Sequence, residues 1–440
     1  MSIETSTDTR DVLIVGGGPA GLACAVALGK QGVSVHLVER CTWPVDKVCG
    51  EGLMPCGVDT LRRLGVFDLI PSSECRPFRG IRWVNEDGLF AHSDFASGTG
   101  YGVRRVALSE APHRRAQAFP TVKLSAETKV MAIETDPSGV MARVMTDGDE
   151  YTIKARVVIG ADGHRSMVRK SVGLEGAPAI QNQRWGARQH FRVEPWSDHV
   201  EVYWSDGIEA YVTPSAADRV EVAFLWDRKR IRPAPAGRAL LQGLLQHFPS
   251  LAERLDHVES ITSLKATGPL AVESSTADVN RCLLIGDALG YVDGITGEGV
   301  SVALKQAEHL GKELPQILEA PVVCAQRLKH LSLGLRTMYR ETVPLVRMAI
   351  FLSGFAALRR LVIRGLTRAP RLFTHFLEVN MGRRPIWLLP VRALPLFLLG
   401  TILPRTRQKP LNSAPDGFKT ASKNTTQYTG GWTPKTLPKT

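Results

Sequence analysis

The first forty residues constrain this chain more than any other stretch. Asp11-Val12-Leu13-Ile14-Val15 is a short apolar run that stops at three consecutive glycines. A run of that length bounded by glycine reads as a strand buried on both faces of a parallel sheet. Ala20 to Gln31 follows as an Ala-rich helix closed by Gly32, and Val33 to Val38 as the next strand, ending at Glu39. Together they make one βαβ unit of about 30 residues. Gly16, Gly18 and Gly21 stand in the Gly-x-Gly-x-x-Gly spacing between strand and helix, with Pro19 and Ala20 completing the loop. Gly16 permits the tight turn, Gly18 lets the backbone approach a pyrophosphate, and Gly21 lets the helix pack on the strand. Free N–H groups and the positive helix end attract the phosphates. Glu39, with Arg40 beside it, places a carboxylate where a ribose diol would lie. The unit reads as a dinucleotide site.

Further along, Tyr151 to Ile159 reads as a strand that enters Gly160-Ala161-Asp162-Gly163, and Arg281 to Ile285 as another that ends at Gly286-Asp287. Between them the pattern changes to short alternating stretches with aromatics: Gln189 to Val193, Val200 to Trp204, Glu209 to Thr213 and Val220 to Trp226. These predict an antiparallel sheet inserted into the first domain. Tyr203, Trp204, Tyr211, Phe224 and Trp226 alternate faces on it, some as core and some lining a pocket. Gly299 to Leu310 predicts a helix. The expected organisation is a leader over 1–10, a nucleotide-binding domain over 11–175 and 265–340 that also lends strands at 76–110 to the second sheet, the inserted sheet over 176–264, a basic apolar helical segment over 341–409, and a disordered tail over 410–440. The fold class is α/β: a Rossmann-like domain with an inserted antiparallel sheet and C-terminal helices.

Three motifs in this order resemble a large flavoprotein superfamily that includes para-hydroxybenzoate hydroxylase and geranylgeranyl reductase. They are Val15 to Leu22, the stretch Gly160 to Arg169 with its Asp162-Gly163, and Gly286-Asp287-Ala288 followed by Thr296-Gly297-Glu298-Gly299-Val300. The resemblance implies FAD as cofactor. It implies that Asp162 and Gly163 serve both FAD and NAD(P)H, that Asp287 contacts the ribityl chain, and that Gly297, Gly299 and Val300 lie near the flavin ring. Arg105, in Arg-Val-Ala-Leu, resembles the superfamily's FAD-contacting arginine, although Arg104 is adjacent. Independently of the family, Asp287 at the end of an apolar strand faces the usual ligand crevice of such a sheet. Cys49-Gly50-Glu51-Gly52-Leu53 resembles a segment of geranylgeranyl reductase-like enzymes that borders flavin and active site. It makes Cys49 and Gly50 cofactor-contact candidates and Cys49 a candidate redox or acid residue, against a buried structural cysteine. Arg188 and His190, where the inserted sheet begins, are candidates for orienting substrate or relaying a proton, against ordinary satisfied sheet residues.

No second Gly-x-Gly-x-x-Gly follows a strand, so NAD(P)H is expected to dock transiently, unless another protein supplies the electrons. Two reactions follow from the resemblance. The first is an NAD(P)H-dependent monooxygenase that hydroxylates a hydrophobic aromatic, polyketide-like or lipid substrate through a flavin hydroperoxide. The second is a reductase of C=C bonds in a prenyl lipid or quinone. The segment at Cys49 favours the reductase, while the lack of a Pro-x-x-Tyr-x-Trp motif weakens it. A non-catalytic flavin-binding, membrane-associated protein is a third class.

Composition narrows the partners. Residues 341–440 hold sixteen Lys or Arg and three Asp or Glu, so the net charge of +12 belongs to the C-terminal segment and the rest is near neutral. There Arg347, Arg359, Arg360, Arg364, Arg368, Arg371, Arg383 and Arg384 flank the uncharged runs Met348 to Leu358 and Ala393 to Pro404. Both runs fall short of the roughly 18 residues that span a membrane. A basic amphipathic pattern suits a monotopic contact with anionic lipid, against a helical cap over the pocket with a solvated basic face. No nucleic-acid recognition module is visible. The seven cysteines form no C-x-x-C pair, so no metal site is expected. Their odd number and the polar N-terminus point to a reducing, cytoplasmic location, peripheral at the membrane.

Overall fold

The computed structural model describes residues 8–176, 184–234, 236–275 and 279–402. The expected tail, and all of the expected leader except residues 8–10, lie outside them. The apolar runs form a seven-stranded sheet as β-branched, doubly buried segments should. Its strands run Val122–Ser125, Val35–Val38, Asp8–Val15 and Asp149–Gly160 in space. The long strand Asp149–Gly160 then serves two neighbours. Cys282–Leu284 pairs with its end in parallel, and the hairpin Lys129–Thr135 and Val140–Thr146 pairs antiparallel along its first half. The first strand begins at Asp8, inside the expected leader, because its register with Ile153 to Gly160 continues back that far.

The parallel register carries the functional consequence. Val15 stands beside Gly160, and Gly160 beside Leu284, so three glycine loops leave the sheet at one edge. The helix Pro19–Gly29 is buried throughout and packs on the sheet and on the helix Gly299–Leu318. It ends two residues before the expected Gln31, and Gly32 closes the turn with φ +73°. The helix from Gly299 runs eight residues beyond the expected Leu310.

The second seven-stranded sheet has the order Lys265–Thr267, Arg184–Arg192, Arg219–Asp227, Ile208–Ala216, His199–Ser205, Gly80–Val84 and Phe90–Asp94. Gly80–Val84 and Phe90–Asp94 are the strands expected from 76–110. One face packs on the helices Gly237–Leu245 and Pro249–Leu255, with Tyr203, Phe224 and Trp226 in that core. Sequence reading did not separate these helices from the sheet. The other face, with Trp204 and Tyr211, meets the C-terminal helices Val343–Ser353, Ala356–Arg368 and Pro370–Asn380.

The tightest backbone approach in the nucleotide sheet fixes one prediction. A Cβ on Gly21 would stand 1.9 Å from the Gly16 carbonyl oxygen, which is backbone and cannot swing away. Gly21→Ala is expected to destabilise the fold by about 2 kcal/mol or more, read as a lower urea midpoint at unchanged slope.

Candidate active site

The two sheets and the C-terminal helices enclose a cavity of about 690 Å³. Its floor is the sheet edge with the three glycine loops. Gly18, Pro19, Ala20 and Arg40 line it from the first βαβ unit, Asp162 and Gly163 from the second loop, and Gly286, Asp287, Gly297, Gly299 and Val300 from the third. Cys49, Gly50 and Arg105 complete the set. Gly16, Gly21, Glu39, Arg188 and His190 do not line it. Gly16, at φ +107°, and Gly21 are spent on backbone packing. The roof is apolar: Trp83, Trp204, Tyr211 and Leu225 from the second sheet, and Met348 and Phe373 from the C-terminal helices.

Local hydrogen bonds hold each loop. Glu39 accepts from the Gly17 N–H at 2.6 Å and from the Cys41 N–H at 3.0 Å, so its carboxylate braces the glycine loop. Trp43, which sequence reading passed over, donates its indole N–H to the Gly17 carbonyl at 3.1 Å and stacks on His113. Asp162 accepts from the Met167 and Val168 N–H groups and from the Ser166 hydroxyl, which fixes the turn after Gly160. Cys49 is half-buried, and burial pushes its thiol up to about 11, so it is protonated at neutral pH.

Behind this surface lie charged side chains that no local pattern pairs. Arg184 binds Glu209 and, at 2.8 Å, Asp293, all three nearly inaccessible. Burial pushes both carboxyls up while the guanidinium pulls them back. Asp293 also accepts from the Ile295 N–H at 3.0 Å, so it shapes the loop to Gly297. Tyr211 donates to the Ile295 carbonyl at 2.9 Å. Arg188 binds Asp46, and Asp46 accepts from Lys265 at 2.6 Å. His190 is fully buried, 2.8 Å from Glu51 and 3.1 Å from Arg188. The two sheet candidates thus lie in a polar layer beneath the cavity wall.

Glu298 lies between Gly297 and Gly299 of the third loop. It is buried, accepts from the Cys56 thiol at 3.6 Å and from the Asn380 amide at 3.4 Å, and burial raises it to about 7 despite Lys305 and Arg383. Between its ordinary 4.5 and about 7, the unfolded chain has lost a proton that the folded chain keeps. Folding stability therefore falls as pH rises through that window and levels off above it. Glu298→Gln is expected to flatten this part of the melting temperature–pH curve, removing up to about 3 kcal/mol of pH dependence.

A family model for an FAD binding domain matches residues 9–321. The chain belongs to that FAD-binding family. It is an FAD-dependent oxidoreductase. A ubiquinone hydroxylase of Rhodospirillum rubrum is 30% identical over 72% of this chain and 73% of its own length. A 3-(3-hydroxy-phenyl)propionate/3-hydroxycinnamic acid hydroxylase of a Mycobacterium species is 25% identical over 86% of the chain. The chain spans about two thirds of that relative's length, 67%. A menaquinone reductase of Mycolicibacterium smegmatis is 28% identical over 84% of the chain and 86% of its own length. Among solved structures, a flavoprotein/dehydrogenase from Cytophaga hutchinsonii shares the fold, with TM-score 0.74, 19% identity and coverage of 89% of this chain and 99% of that one.

The residues present fit FAD. A Cβ on Gly18 or Gly297 would meet nothing within 4 Å, which leaves backbone bare toward the cavity. Arg105 is buried at the cavity wall with its Nε lacking a hydrogen-bond partner among the described residues. A buried donor in that state is costly unless a ligand satisfies it. Gly18→Ala is expected to fold with wild-type stability, since space is open, yet to bind FAD about tenfold more weakly because a methyl group blocks the phosphate approach. Apoprotein titration with FAD, alongside a urea melt of the apoprotein, checks both halves.

Proposed function

We propose that this enzyme hydroxylates a hydrophobic aromatic or quinone-like substrate, with NAD(P)H as electron donor. The observation that carries this reading is the apolar roof of the 690 Å³ cavity facing the glycine loops. A cavity with polar groups on one side and aromatic walls on the other suits a polar cofactor together with an apolar substrate. Two relatives that are hydroxylases of a quinone and of a phenolic acid support it.

Bound FAD supplies two-electron redox chemistry that the side chains cannot perform. The chain's part is to bind, orient and exclude water. The N–H groups at the start of Pro19–Gly29 hold the pyrophosphate. Arg105 adds a cation, and Asp287 takes hydroxyls of the ribityl chain. Gly297 and Gly299 line the cavity where the flavin ring would lie, and their backbone N–H groups would favour negative charge there. Trp204, Tyr211 and Phe373 exclude water and seat the substrate. With no second glycine-loop unit among the described residues, the nicotinamide donor docks transiently at the open side of the cavity.

A second reading is reduction of a C=C bond in a prenyl lipid or quinone. The Cys49–Gly52 segment on the cavity wall and the menaquinone reductase relative favour it. None of the relatives above carries the name geranylgeranyl reductase. Protein reduced anaerobically with NADPH or NADH is mixed with oxygen and candidate phenols and quinones, and products are weighed. Gain of one oxygen atom supports the hydroxylase. Gain of two hydrogens without oxygen replaces it by the reductase, and no flavin bleaching with either nucleotide removes the donor assignment.

The C-terminal helices extend the proposal to a lipid surface. No helix among the described residues is long and apolar enough to cross a membrane. Yet Trp387, Val391 and Ile402 are 79%, 68% and 78% exposed, next to exposed Leu388 and Leu398. Arg371, Arg384 and Arg392 of the same C-terminal segment are exposed as well. Exposed apolar side chains together with arginine match an anionic bilayer interface. Arg359 does not belong to this set. It is buried and bonded to Asn85 and Glu86, so its role is structural. Met348 both lines the cavity and is partly exposed, so a lipophilic substrate would have a route inward past it. Removing these helices would strip the core around Ile363 and Phe373, so point changes are the proper test. Trp387→Glu with Val391→Glu is expected to abolish sedimentation with anionic vesicles while leaving FAD content unchanged. Equal sedimentation of wild type and variant would refute the contact.

A further inference from the structure

Glu51 stands in the middle of the cavity wall Cys49–Gly52, yet its side chain is turned into the protein and is about 1% exposed. Three separate parts of the chain meet on it. The N–H of Arg105, first residue of the helix Arg105–Gln117, donates to Glu51 Oε1 at 2.7 Å. His190 Nε2, on the second sheet, lies 2.8 Å from Oε2. The Glu51 N–H donates to Glu221 Oε2 at 2.7 Å, and the Glu51 carbonyl accepts from the Val103 N–H at 2.8 Å. His190 and Glu221 are direct partners across their strand pair, so the second sheet grips this wall at one rung.

The proton positions follow from the donors. Arg188 Nη1 only donates, and it lies 3.1 Å from His190 Nδ1. The ring therefore accepts at Nδ1 and carries its proton on Nε2, aimed at Glu51. Glu51 consequently accepts twice, from a backbone N–H and from an imidazole N–H. Arg188 continues to Asp46 and Lys265, both of which line the cavity. Glu51, His190 and Glu221 present ligand-type atoms within 4.8 Å of one another, a spacing that would suit a cation. The Glu51–His190 hydrogen bond occupies both facing atoms, however, and Arg188 already supplies positive charge there.

We propose that Glu51 is a positioning residue for the flavin: it sets the Cys49–Gly52 wall and Arg105 against the cofactor through the His190 tautomer that Arg188 imposes. It touches neither cofactor nor substrate. Its effect passes through the main chain on either side and through the start of the helix that carries Arg105.

The test uses full-length apoprotein titrated with FAD, reading affinity and the position of the visible flavin band. It needs no substrate and no nicotinamide, so it stands apart from the reaction proposed above. Glu51→Gln puts an amide donor against one of two N–H donors, and is expected to weaken FAD binding about tenfold or more and to shift the band. Glu221→Gln keeps the one acceptor that the Glu51 N–H needs and is expected to stay within about twofold of wild type. His190→Gln, with a donor toward Glu51 and an acceptor toward Arg188, is expected to retain binding that His190→Leu loses. Wild-type affinity and band in Glu51→Gln would overturn the proposal, as would Glu221→Gln proving equally damaging. Should Glu51→Gln fail to fold, the His190 pair decides: equal affinities for Gln and Leu refute it.

Discussion

Contact between two backbone turns underlies everything else in this protein. Gly16 sits so close to Ala161 that a Cβ would approach the Ala161 carbonyl oxygen to 2.5 Å, and Gly21 presses on Gly16 in turn. Only glycine permits either approach. The first and second loops are thereby brought together at the end of adjacent parallel strands, and the third follows from the pairing of Gly160 with Leu284. The phosphate-binding helix, the acid of the third loop and the cavity floor all inherit their places from that edge.

The roof is attached differently. Where the second sheet meets the nucleotide domain, much of the junction is polar: Arg184 with Glu209 and Asp293, Arg188 with Asp46, and His190 with Glu51. Such groups add little net stability, because desolvation offsets attraction. What they confer is directional. Apolar contact would let the sheet slide on the loops, whereas each of these pairs is satisfied at one geometry only.

Much of this was legible in the sequence, and the boundary has physical causes. The glycine spacing, the apolar strands and the acids at their ends are local signals, and the structure places Gly18, Asp162, Gly163, Gly286, Asp287, Gly297 and Gly299 on one cavity. The polar layer was not legible. Glu51 and His190 are 139 positions apart and Arg188 and Asp46 are 142 apart, so no local pattern pairs them before the sheet is folded. Arg188 and His190 attracted notice for their chemistry, but nothing local told which face of the strand would meet the cavity. Trp43 and the helices at 237–255 were missed for a similar reason: their partners are distant. The C-terminal segment was read correctly as basic and apolar, yet Arg359 shows that composition cannot separate a solvated guanidinium from one locked in the core.

The Arg184 cluster carries a consequence for how such a chain can change over generations. Loss of Arg184 strands two carboxyl groups in a dry interior, at a cost of about 3–5 kcal/mol, a large share of the stability of an ordinary domain. Conversion of all three to fitted apolar side chains would cost little. Single substitutions of Arg184 are therefore filtered out, and joint ones pass. The strand holding Arg184, its neighbour holding Glu209 and the loop holding Asp293 must drift as a unit, which leaves the aromatic roof beside them freer to vary for new substrates.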